Sequence, residues 1–298
     1  MSLSNDLSAL ADATREFDFS AQDFARVRKL IYQHAGISLN DTKQSMVYSR
    51  LARRLRALKL TSFVAYLDML ESNPSAAEWQ EFVNSLTTNL TSFFRESHHF
   101  PALQDHLLKM SKQGRINIWC CASSTGEEPY SLAITAMEAF RSMTPPVRIL
   151  ATDIDTNVLR AAQAGVYRDE VVAKMDPQLL KKYFLKGSGE QAGMVRVRPE
   201  LQEIISFRQL NLLENDWKLR PGFAAIFCRN VMIYFDKETQ LKIIRRFAPL
   251  LNPEGLLFVG HSENFSQARE SFVLKGKTIY EVVRQSAAPI GAPTRLGG

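Results

Sequence analysis

The sequence predicts an α/β fold: a doubly wound, mostly parallel sheet covered by helices and preceded by a small all-α domain. From Arg115 onward, apolar β-prone runs alternate with amphipathic helical runs, an order typical of a parallel sheet with helices on its faces. Before Arg115 the apolar residues recur only at helical spacing. The interval from Gly165 to about Ser206 exceeds a normal helix-to-strand loop and therefore indicates an inserted element.

The amino-terminal part is predicted to be a series of amphipathic helices. Ser20 and Asp23 form a capping-box pattern that begins the first helix, and Gly36 is placed to end it. The second helix follows Asn40 or Asp41, with an apolar stripe on one side and arginines on the other. The predicted helices cover residues 20–35, 41–58, 62–71, 76–86 and 98–112.

The carboxyl-terminal part is predicted to alternate between strands and helices. The inserted element, about residues 166–206, is expected to be a small antiparallel β-subdomain, because residues 186–198 alternate like a hairpin after a glycine-rich turn. Residues 194–198 are expected to form an edge strand there. Predicted strands of the main sheet cover residues 116–121, 147–153, 204–210, 224–229 and 256–260, with helices at 127–140, 157–164 and 237–250 and a closing hairpin at 271–274 and 278–283.

These patterns predict the domain boundaries. The first and last segments are expected to be disordered, the last because it is rich in Ala, Pro and Gly. The predicted order is a disordered amino terminus (1–17), an all-helical domain (18–88), a linker (89–114), the sheet domain (115–284) and a disordered tail (285–298).

Composition limits the possible classes of protein. The 298 residues are 45% apolar and 23% charged, which is ordinary for a soluble globular chain. There is neither an apolar run long enough to span a membrane nor a signal-peptide pattern. The three cysteines form neither a disulfide framework nor a metal-ligand spacing, so we expect buried thiols in a reducing compartment. We predict a cytoplasmic protein without a bound metal and without membrane insertion.

The positive charge is concentrated in one segment. Residues 20–60 contain nine Lys or Arg and two Asp, a net charge of +7, so the rest of the chain sums to −1 within a total of +6. In the second predicted helix, Arg50, Arg53 and Arg56 project from the side opposite the apolar stripe. Such a local patch indicates an acidic partner, either a nucleic acid or an acidic protein surface.

Three segments, 120–128, 151–155 and 227–234, each run from a predicted strand into small or polar residues. Because ligands of doubly wound sheets lie across the carboxyl edge of the strands, these segments are expected to form one site. Gly126 precedes a helix whose free N–H groups face that edge, and Asp153 is placed to bind a ribose. The sequence therefore predicts an adenosine-containing cofactor. The single glycine departs from the G-x-G-x-x-G fingerprint and argues against hydride transfer.

Each of these features has a plainer interpretation when taken alone. Gly126 would be an ordinary strand-to-helix turn, Asp153 a helix N-cap, and Tyr234 a core residue. Arg229 and Asn230 are harder to explain in this way, because Arg and Asn at the end of a buried strand need polar partners.

Five motifs make the sequence recognisable. Together they resemble the CheR family, the bacterial chemoreceptor glutamate O-methyltransferases, which use S-adenosylmethionine. The resemblance covers roughly residues 20–284 and implies a Rossmann-like class I S-adenosylmethionine-dependent methyltransferase sheet in the second domain. The motifs are residues 89–100 (NLTSFFRESHHF), 124–131 (STGEEPYS), 151–155 (ATDID), 227–235 (FCRNVMIYF) and 260–264 (GHSEN).

The resemblance also implies roles for single residues. Arg95 and Tyr234 match the residues considered catalytic in the family, and S-adenosylhomocysteine would be the product. The positions that match the family's cofactor contacts are Asn89, Thr91, Arg95, Glu128, Asp153, Asn211, Leu212, Arg229 and Asn230.

The family's receptor contacts match two further regions. Arg50, Arg53 and Arg56 match the surface that meets the methylation helices in the cytoplasmic domain of the receptor. Gly187, Gly189, Gly193 and Arg196 match the β-subdomain that, in some members, binds a pentapeptide at the receptor's carboxyl terminus. Lys186 stands where some peptide-dependent members carry Arg, so a bidentate contact is lost there.

The chemistry implied by this resemblance suits the residues present. A glutamate carboxylate with an ordinary pKa of roughly 4.3 is already ionised near neutrality, so no Ser/His/Asp-type base is needed. A nucleic-acid methyltransferase would share the fold, but it usually carries a Pro-Pro-aromatic loop where this chain has residues 229–232 (RNVM). An inactive scaffold would be expected to lack Arg95, Tyr234 or Asp153. We therefore predict an enzyme that does not bind nucleic acid. We also expect it to be a monomer.

Overall fold

The computed structural model describes residues 15–265 and 268–283. The predictions of disorder for residues 1–14 and 285–298 lie outside this range. Among the described residues, no helix is both long and apolar enough to cross a membrane. At the start of the described range, the Glu16 carboxylate lies 2.7 Å from the Arg56 guanidinium and the Phe17 ring packs edge-on against Phe63.

In the part of the chain that the structure describes, four α-helices form the amino-terminal domain. The capping box at Ser20 is present, with Asp23 N donating to Ser20 Oγ (3.1 Å) and Ser20 N to the Asp23 carboxylate (2.9 Å). Gly36 ends the first helix in a left-handed conformation, as predicted. The helices are α1 (Ala21–Ala35), α2 (Gln44–Leu58), α3 (Phe63–Ser72) and α4 (Glu78–Leu86).

The helical domain has a hydrophobic core of its own. Val47, Leu51 and Leu55 of α2 are fully buried in it, so the predicted apolar stripe is confirmed. The same core takes in residues of α1, α3 and α4 and is a separate cluster from those that cover the sheet.

A seven-stranded sheet forms the second domain, in the order β6-β2-β1-β7-β8-β10-β9. The pairs within β6-β2-β1-β7-β8 are parallel, and β10 pairs antiparallel with β8 and β9. The α/β prediction is therefore confirmed. The strands are β1 (Ile116–Cys120), β2 (Val147–Asp153), β3 (Val166–Arg168), β4 (Phe184–Lys186), β5 (Met194–Val197), β6 (Ile205–Gln209), β7 (Phe223–Cys228), β8 (Leu251–Val259), β9 (Phe272–Gly276) and β10 (Ile279–Val282).

Helices cover both faces of this sheet, and each face has its own hydrophobic cluster. The long α6 is almost wholly buried, which explains why its apolar residues are not confined to one stripe. The remaining helices are α5 (His99–Met110), α6 (Glu127–Phe140), α7 (Thr156–Ala164), α8 (Asp169–Val172), α9 (Pro177–Tyr183), α10 (Pro199–Glu203) and α11 (Lys237–Phe247).

The inserted element contains a three-stranded antiparallel sheet in the order β3-β5-β4. The prediction that residues 194–198 form an edge strand is wrong, because β5 pairs with β3 on one side and β4 on the other. The edges are β3 and β4. The error arose because the three residues of β3, immediately after α7, are too few to show a strand periodicity.

Candidate active site

A cleft lies across the carboxyl ends of β2, β1 and β7. It contains about 920 Å³ of space between protein atoms, a volume that includes open solvent. The sheet supplies the floor, and Ala35, Ile37 and Leu86 of the helical domain supply part of the wall. The segment between α4 and α5 closes another side.

The cleft brings together all nine residues that the sequence analysis assigned to a cofactor, together with Tyr234. They come from five parts of the chain: the segment after α4 and the loops after β1, β2, β6 and β7 meet at this edge of the sheet. The residues are Asn89, Thr91, Arg95, Glu128, Asp153, Asn211, Leu212, Arg229, Asn230 and Tyr234.

The loop between β1 and α6 needs its glycine for steric reasons. Gly126 has φ +101°, and a Cβ there would lie 2.8 Å from the Tyr167 hydroxyl and 2.9 Å from Ala162 Cβ. Ser124 also has a positive φ of +47°. The loop thereby turns sharply into α6, and the backbone N–H of Ser124 points at the end of β2.

Asp153 lies at the end of β2 with its carboxylate held by backbone. One oxygen accepts from Ser124 N (2.8 Å) and the other from Asp155 N (3.0 Å). Burial raises the pKa of Asp153 to about 6, against the opposing effect of these N–H groups. The carboxylate is fixed in orientation, but its ionisation is close to neutral pH.

Arg229 and Glu128 form a buried ion pair in the same cleft as Asp153. Arg229 Nη1 lies 2.6 Å from Glu128 Oε2, and the two side chains are 1% and 12% exposed. The Arg229 Nη2 group also donates to the backbone carbonyl of Arg95. Burial raises the pKa of Glu128, while Arg229 opposes that rise. The strand end therefore carries fixed charges of both signs.

The segment after α4 holds Arg95 in an unusual backbone. Phe94 and Glu96, on either side of it, have φ of +52° and +53°, a conformation that costs non-glycine residues energy and is common at functional sites. Arg95 Nη1 donates to the carbonyl of Leu90 (2.9 Å). Asn89 Nδ2 donates to Asp155 Oδ2 (2.8 Å), which ties the segment to the end of β2.

The loop after β7 carries Asn230 and Tyr234. Asn230 has φ +56°, and a short 3-10 turn at Met232–Tyr234 follows. The Tyr234 hydroxyl donates to the carbonyl of Thr88 at 3.5 Å, so this loop meets the segment after α4 across the cleft.

Glu96, His98 and His99 also lie close together, with one potential ligand atom of each within 4.8 Å of the others. Arg229 Nη2 lies 3.6 Å from Glu96 Oε2, so a guanidinium already supplies positive charge there. Burial lowers the pKa of His99 to about 4, which keeps that ring neutral. We interpret the cluster as part of the Arg229 ion-pair network.

The predicted receptor-binding residues lie outside the cleft. Arg53 and Arg56 are exposed. Arg50 points inward instead: its Nη1 donates to the carbonyl of Thr87 (2.6 Å), and burial lowers its pKa. Its guanidinium thus braces the segment after α4.

The residues assigned to peptide binding lie in the inserted subdomain. Gly187 is needed locally, because a Cβ there would lie 2.1 Å from the carbonyl of Gln191. Gly189 and Gly193 have positive φ, and Arg196 is exposed on β5.

Two acidic residues that support the cleft were not singled out from the sequence. Asp155 caps α7 through Asn157 N (2.8 Å) and accepts from Thr87 Oγ1 (2.7 Å). Glu263 accepts four backbone N–H groups around the loop after β7. Both lie in the recognised motifs, but the partners that tie them to the cleft, Thr87 for Asp155 and residues 230–232 for Glu263, are distant in sequence, so spacing alone gave no signal.

The helical domain and the sheet meet through polar contacts near the cleft. Asn84 Nδ2 donates to Thr156 Oγ1 (3.0 Å), and Gln80 Nε2 to the carbonyl of Ile154 (2.9 Å). Asn211 Nδ2 donates to the carbonyl of His34 (2.8 Å). The cleft is therefore built by both domains.

Two family models match successive parts of the chain. Residues 22–87 match the family model described as CheR methyltransferase, all-alpha domain, and residues 89–280 match CheR methyltransferase, SAM binding domain. The chain is 52% identical to the chemotaxis protein methyltransferase of Escherichia coli K12 over 273 residues, 92% of this chain and 95% of that protein. It is also 52% identical to chemotaxis protein methyltransferase 2 of Pseudomonas aeruginosa over 267 residues, 89% of this chain and 95% of that protein.

A third relative, the chemotaxis protein methyltransferase of Klebsiella aerogenes, is 52% identical over 93% of this chain and 95% of its own length. The resemblance noted in the five motifs is thereby confirmed over nearly the whole sequence. The chain belongs to the CheR methyltransferase family.

Proposed function

We propose that this chain transfers the methyl group of S-adenosylmethionine to glutamate side chains in the cytoplasmic domains of chemoreceptors, giving glutamate methyl esters. The observation that carries the proposal is the cleft at the carboxyl ends of β2, β1 and β7, where acidic and basic side chains converge. Family membership supplies the class of reaction, and the names of the relatives supply the class of substrate.

The charges of the cleft fit this cofactor. Its methionine end carries both an ammonium and a carboxylate, and Glu128, Arg95 and Arg229 offer both signs of charge. Asp153, at the end of β2, suits the ribose hydroxyls as a charge-assisted acceptor. Asn89, Thr91, Asn211, Leu212 and Asn230 complete the binding residues in this proposal.

The protein's contribution to the reaction is alignment and exclusion of water. S-adenosylmethionine, when bound, supplies a methyl group activated by the adjoining sulfonium. The acceptor carboxylate, with an ordinary pKa of about 4.3, needs no base. Tyr234 orients that carboxylate through its hydroxyl, and Arg95 holds the methionine end. The walls from the helical domain reduce solvent access to the two opposite charges.

The receptor would be bound by two other surfaces. Arg53 and Arg56, the exposed arginines of α2, face the acidic methylation helices. The inserted subdomain, with Gly187, Gly189, Gly193 and Arg196, binds a pentapeptide at the receptor's carboxyl terminus. We further propose that the protein works as a monomer in the cytoplasm.

The direct test is methyl transfer from radiolabelled S-adenosylmethionine to membranes that contain chemoreceptors. We expect label in the receptor band that is released as methanol by mild base, because carboxyl methyl esters are base-labile. Arg95→Ala is the negative control. Base-stable label, label on nucleic acid, or no transfer by protein that binds S-adenosylhomocysteine would contradict the proposal.

A further inference from the structure

The strongest feature that the proposed reaction does not use is the carboxylate of Glu263. It is buried behind the loop after β7 and accepts four backbone hydrogen bonds. Oε1 accepts from Val231 N (2.9 Å) and Met232 N (2.8 Å), and Oε2 accepts from Asn230 N (2.9 Å) and Gly260 N (2.6 Å).

The loop has the backbone geometry of an anion-binding nest. Asn230 is left-handed (φ +56°) and Val231 right-handed (φ −119°, ψ −33°), so that three successive N–H groups converge on one point. Without an anion at that point, these donors would be buried and unpaired, and the left-handed Asn230 would be unfavourable. Burial raises the pKa of Glu263, while the four N–H groups oppose that rise and favour the carboxylate form.

Gly260 is part of the same arrangement. A Cβ at this position would lie 2.8 Å from Glu263 Oε2, 2.5 Å from Asn230 Nδ2 and 2.9 Å from Asn230 N. Even a methyl group would therefore push the carboxylate and the loop apart. Glycine is required at position 260 because of close packing and not because of its backbone conformation, since its φ is not positive.

We propose that Glu263 is a positioning residue for methyl transfer: its carboxylate fills the nest of Asn230, Val231 and Met232 and thereby fixes where Asn230 and Tyr234 stand in the cleft. This inference rests on the proposed function. Glu263 itself does not line the cleft and acts only through the loop.

Glu263→Gln separates this role from a general effect on stability. The amide oxygen replaces one carboxylate oxygen, but the NH₂ group faces two N–H donors, so we expect the loop to shift. We expect kcat at saturating cofactor to fall about 10- to 100-fold, with the KM for the receptor unchanged because α2 is untouched. Glu254→Gln, an exposed carboxylate on β8, is the matched control and should retain full activity.

A double-mutant cycle with Tyr234→Phe tests the route of the effect. If Glu263 acts by placing the Tyr234 side chain, the two losses in kcat are strongly non-additive. The reason is that removing a hydroxyl which Glu263→Gln has already displaced causes little further loss. Fully additive losses, or Glu263→Gln with wild-type kcat, would overturn the inference. Gly260→Ala perturbs the same contact without removing the charge and should lower kcat in the same direction.

Amide hydrogen exchange on the wild-type protein gives a readout that needs neither a variant nor activity. The Val231 and Met232 amides should be strongly protected, because their N–H groups are bonded to the Glu263 carboxylate. Exchange at the rate of an open loop would contradict the inference even if the methyltransferase assay succeeds. Protected amides in a protein without receptor methylation would instead contradict the proposed function alone.

Discussion

Asp153 is a buried carboxylate whose ionisation we expect to control cofactor affinity. Ribose hydroxyls donate better to the charged form, and the pKa of Asp153 in the free protein is raised to about 6. Binding must therefore release a proton below that pH. We expect the affinity for S-adenosylhomocysteine, measured by calorimetry, to rise with pH up to about 6 and then to level off.

The matched control is Asp153→Asn, which keeps the shape but does not ionise in this range. It should lack the pH step that we expect for the wild-type protein. Asp153→Ala should weaken binding by about 1–3 kcal/mol through loss of charge-assisted hydrogen bonds. Unchanged affinity in a folded Asp153→Ala protein would remove this residue from the site.

Tyr234 and Arg95 are expected to differ in how they affect the reaction. Tyr234→Phe removes only the hydroxyl near the Thr88 carbonyl, so cofactor binding should stay nearly intact while kcat falls. Arg95→Ala should lower kcat further and also weaken cofactor binding. Steady-state kinetics with calorimetry checks both. Wild-type turnover by Tyr234→Phe would mean that its hydroxyl does not align the acceptor.

Single residues of the cleft could be predicted where they lie at positions that match the family. The ten cleft residues were placed by the family pattern, and the glycine at 126 and the acid at 153 were placed by strand-end reasoning. Glu263 and Asp155 could not be placed in the same way. Glu263 depends on backbone N–H groups some 30 residues away and Asp155 on the Thr87 hydroxyl some 70 residues away, which only the folded chain brings within hydrogen-bond distance.

Two arginines of the helix α2 are expected to have different roles, Arg53 in binding the receptor and Arg50 in supporting the cleft. Arg53 is exposed, and Arg53→Glu should raise the KM for the receptor roughly fivefold, an effect of about 1 kcal/mol. The salt dependence of this KM should also become weaker, while the affinity for the cofactor stays unchanged. Methylation assays at several ionic strengths measure this. An unchanged KM would support the plainer interpretation of a solvated helix face.

Arg50 serves as the internal comparison on the same helix. Because its guanidinium is bonded to the Thr87 carbonyl, Arg50→Gln should lower cofactor affinity and kcat while leaving the salt dependence of the receptor KM as in the wild type. An effect confined to the receptor KM would contradict the bracing role and restore the original interpretation of all three arginines as receptor contacts.

The inserted sheet offers its edges, β3 and β4, for an added peptide strand. A receptor's carboxyl-terminal pentapeptide would gain backbone hydrogen bonds at such an edge, with Arg196 on β5 paired to its carboxylate. Titration by calorimetry is the measurement, with Arg196→Ala as the control. Absence of binding at about 1 mM peptide, a binding free energy near −4 kcal/mol, would remove the tether and leave the methyltransferase assignment intact.

Elements were predictable where their periodicity is long enough to read. The helices α1 to α4 and the strands β1, β2 and β7 lie close to their predicted bounds because each buries a regular stripe or run. The start of β8 was predicted at residue 256, but the strand begins at Leu251. The difference arises because Pro253 and Gly255, which the strand contains, favour a turn. The order β3-β5-β4 is a matter of non-local pairing, which no local pattern in the sequence determines.

At the scale of the whole molecule, the division into a helical domain and a sheet domain was predictable from the change of pattern near Arg115. How the two domains meet was not. The contacts of Gln80 and Asn84 with the end of β2 and the start of α7 involve polar side chains on helices, and nothing in a helical pattern tells such a side chain from one that faces water.

The separate hydrophobic cores of the two domains have a consequence for thermal unfolding. Each core can melt on its own, and contacts near the cleft, several of them polar, couple the two, so the free protein should unfold in two overlapping calorimetric transitions. A ligand that contacts both walls binds only when both domains are folded, and at a hundred times its Kd it adds about 2.7 kcal/mol to that joint state. S-adenosylhomocysteine should therefore merge the two transitions into one, and Asn84→Ala should separate them further. A single transition in the ligand-free protein would show that the domain contacts alone make the molecule one cooperative unit.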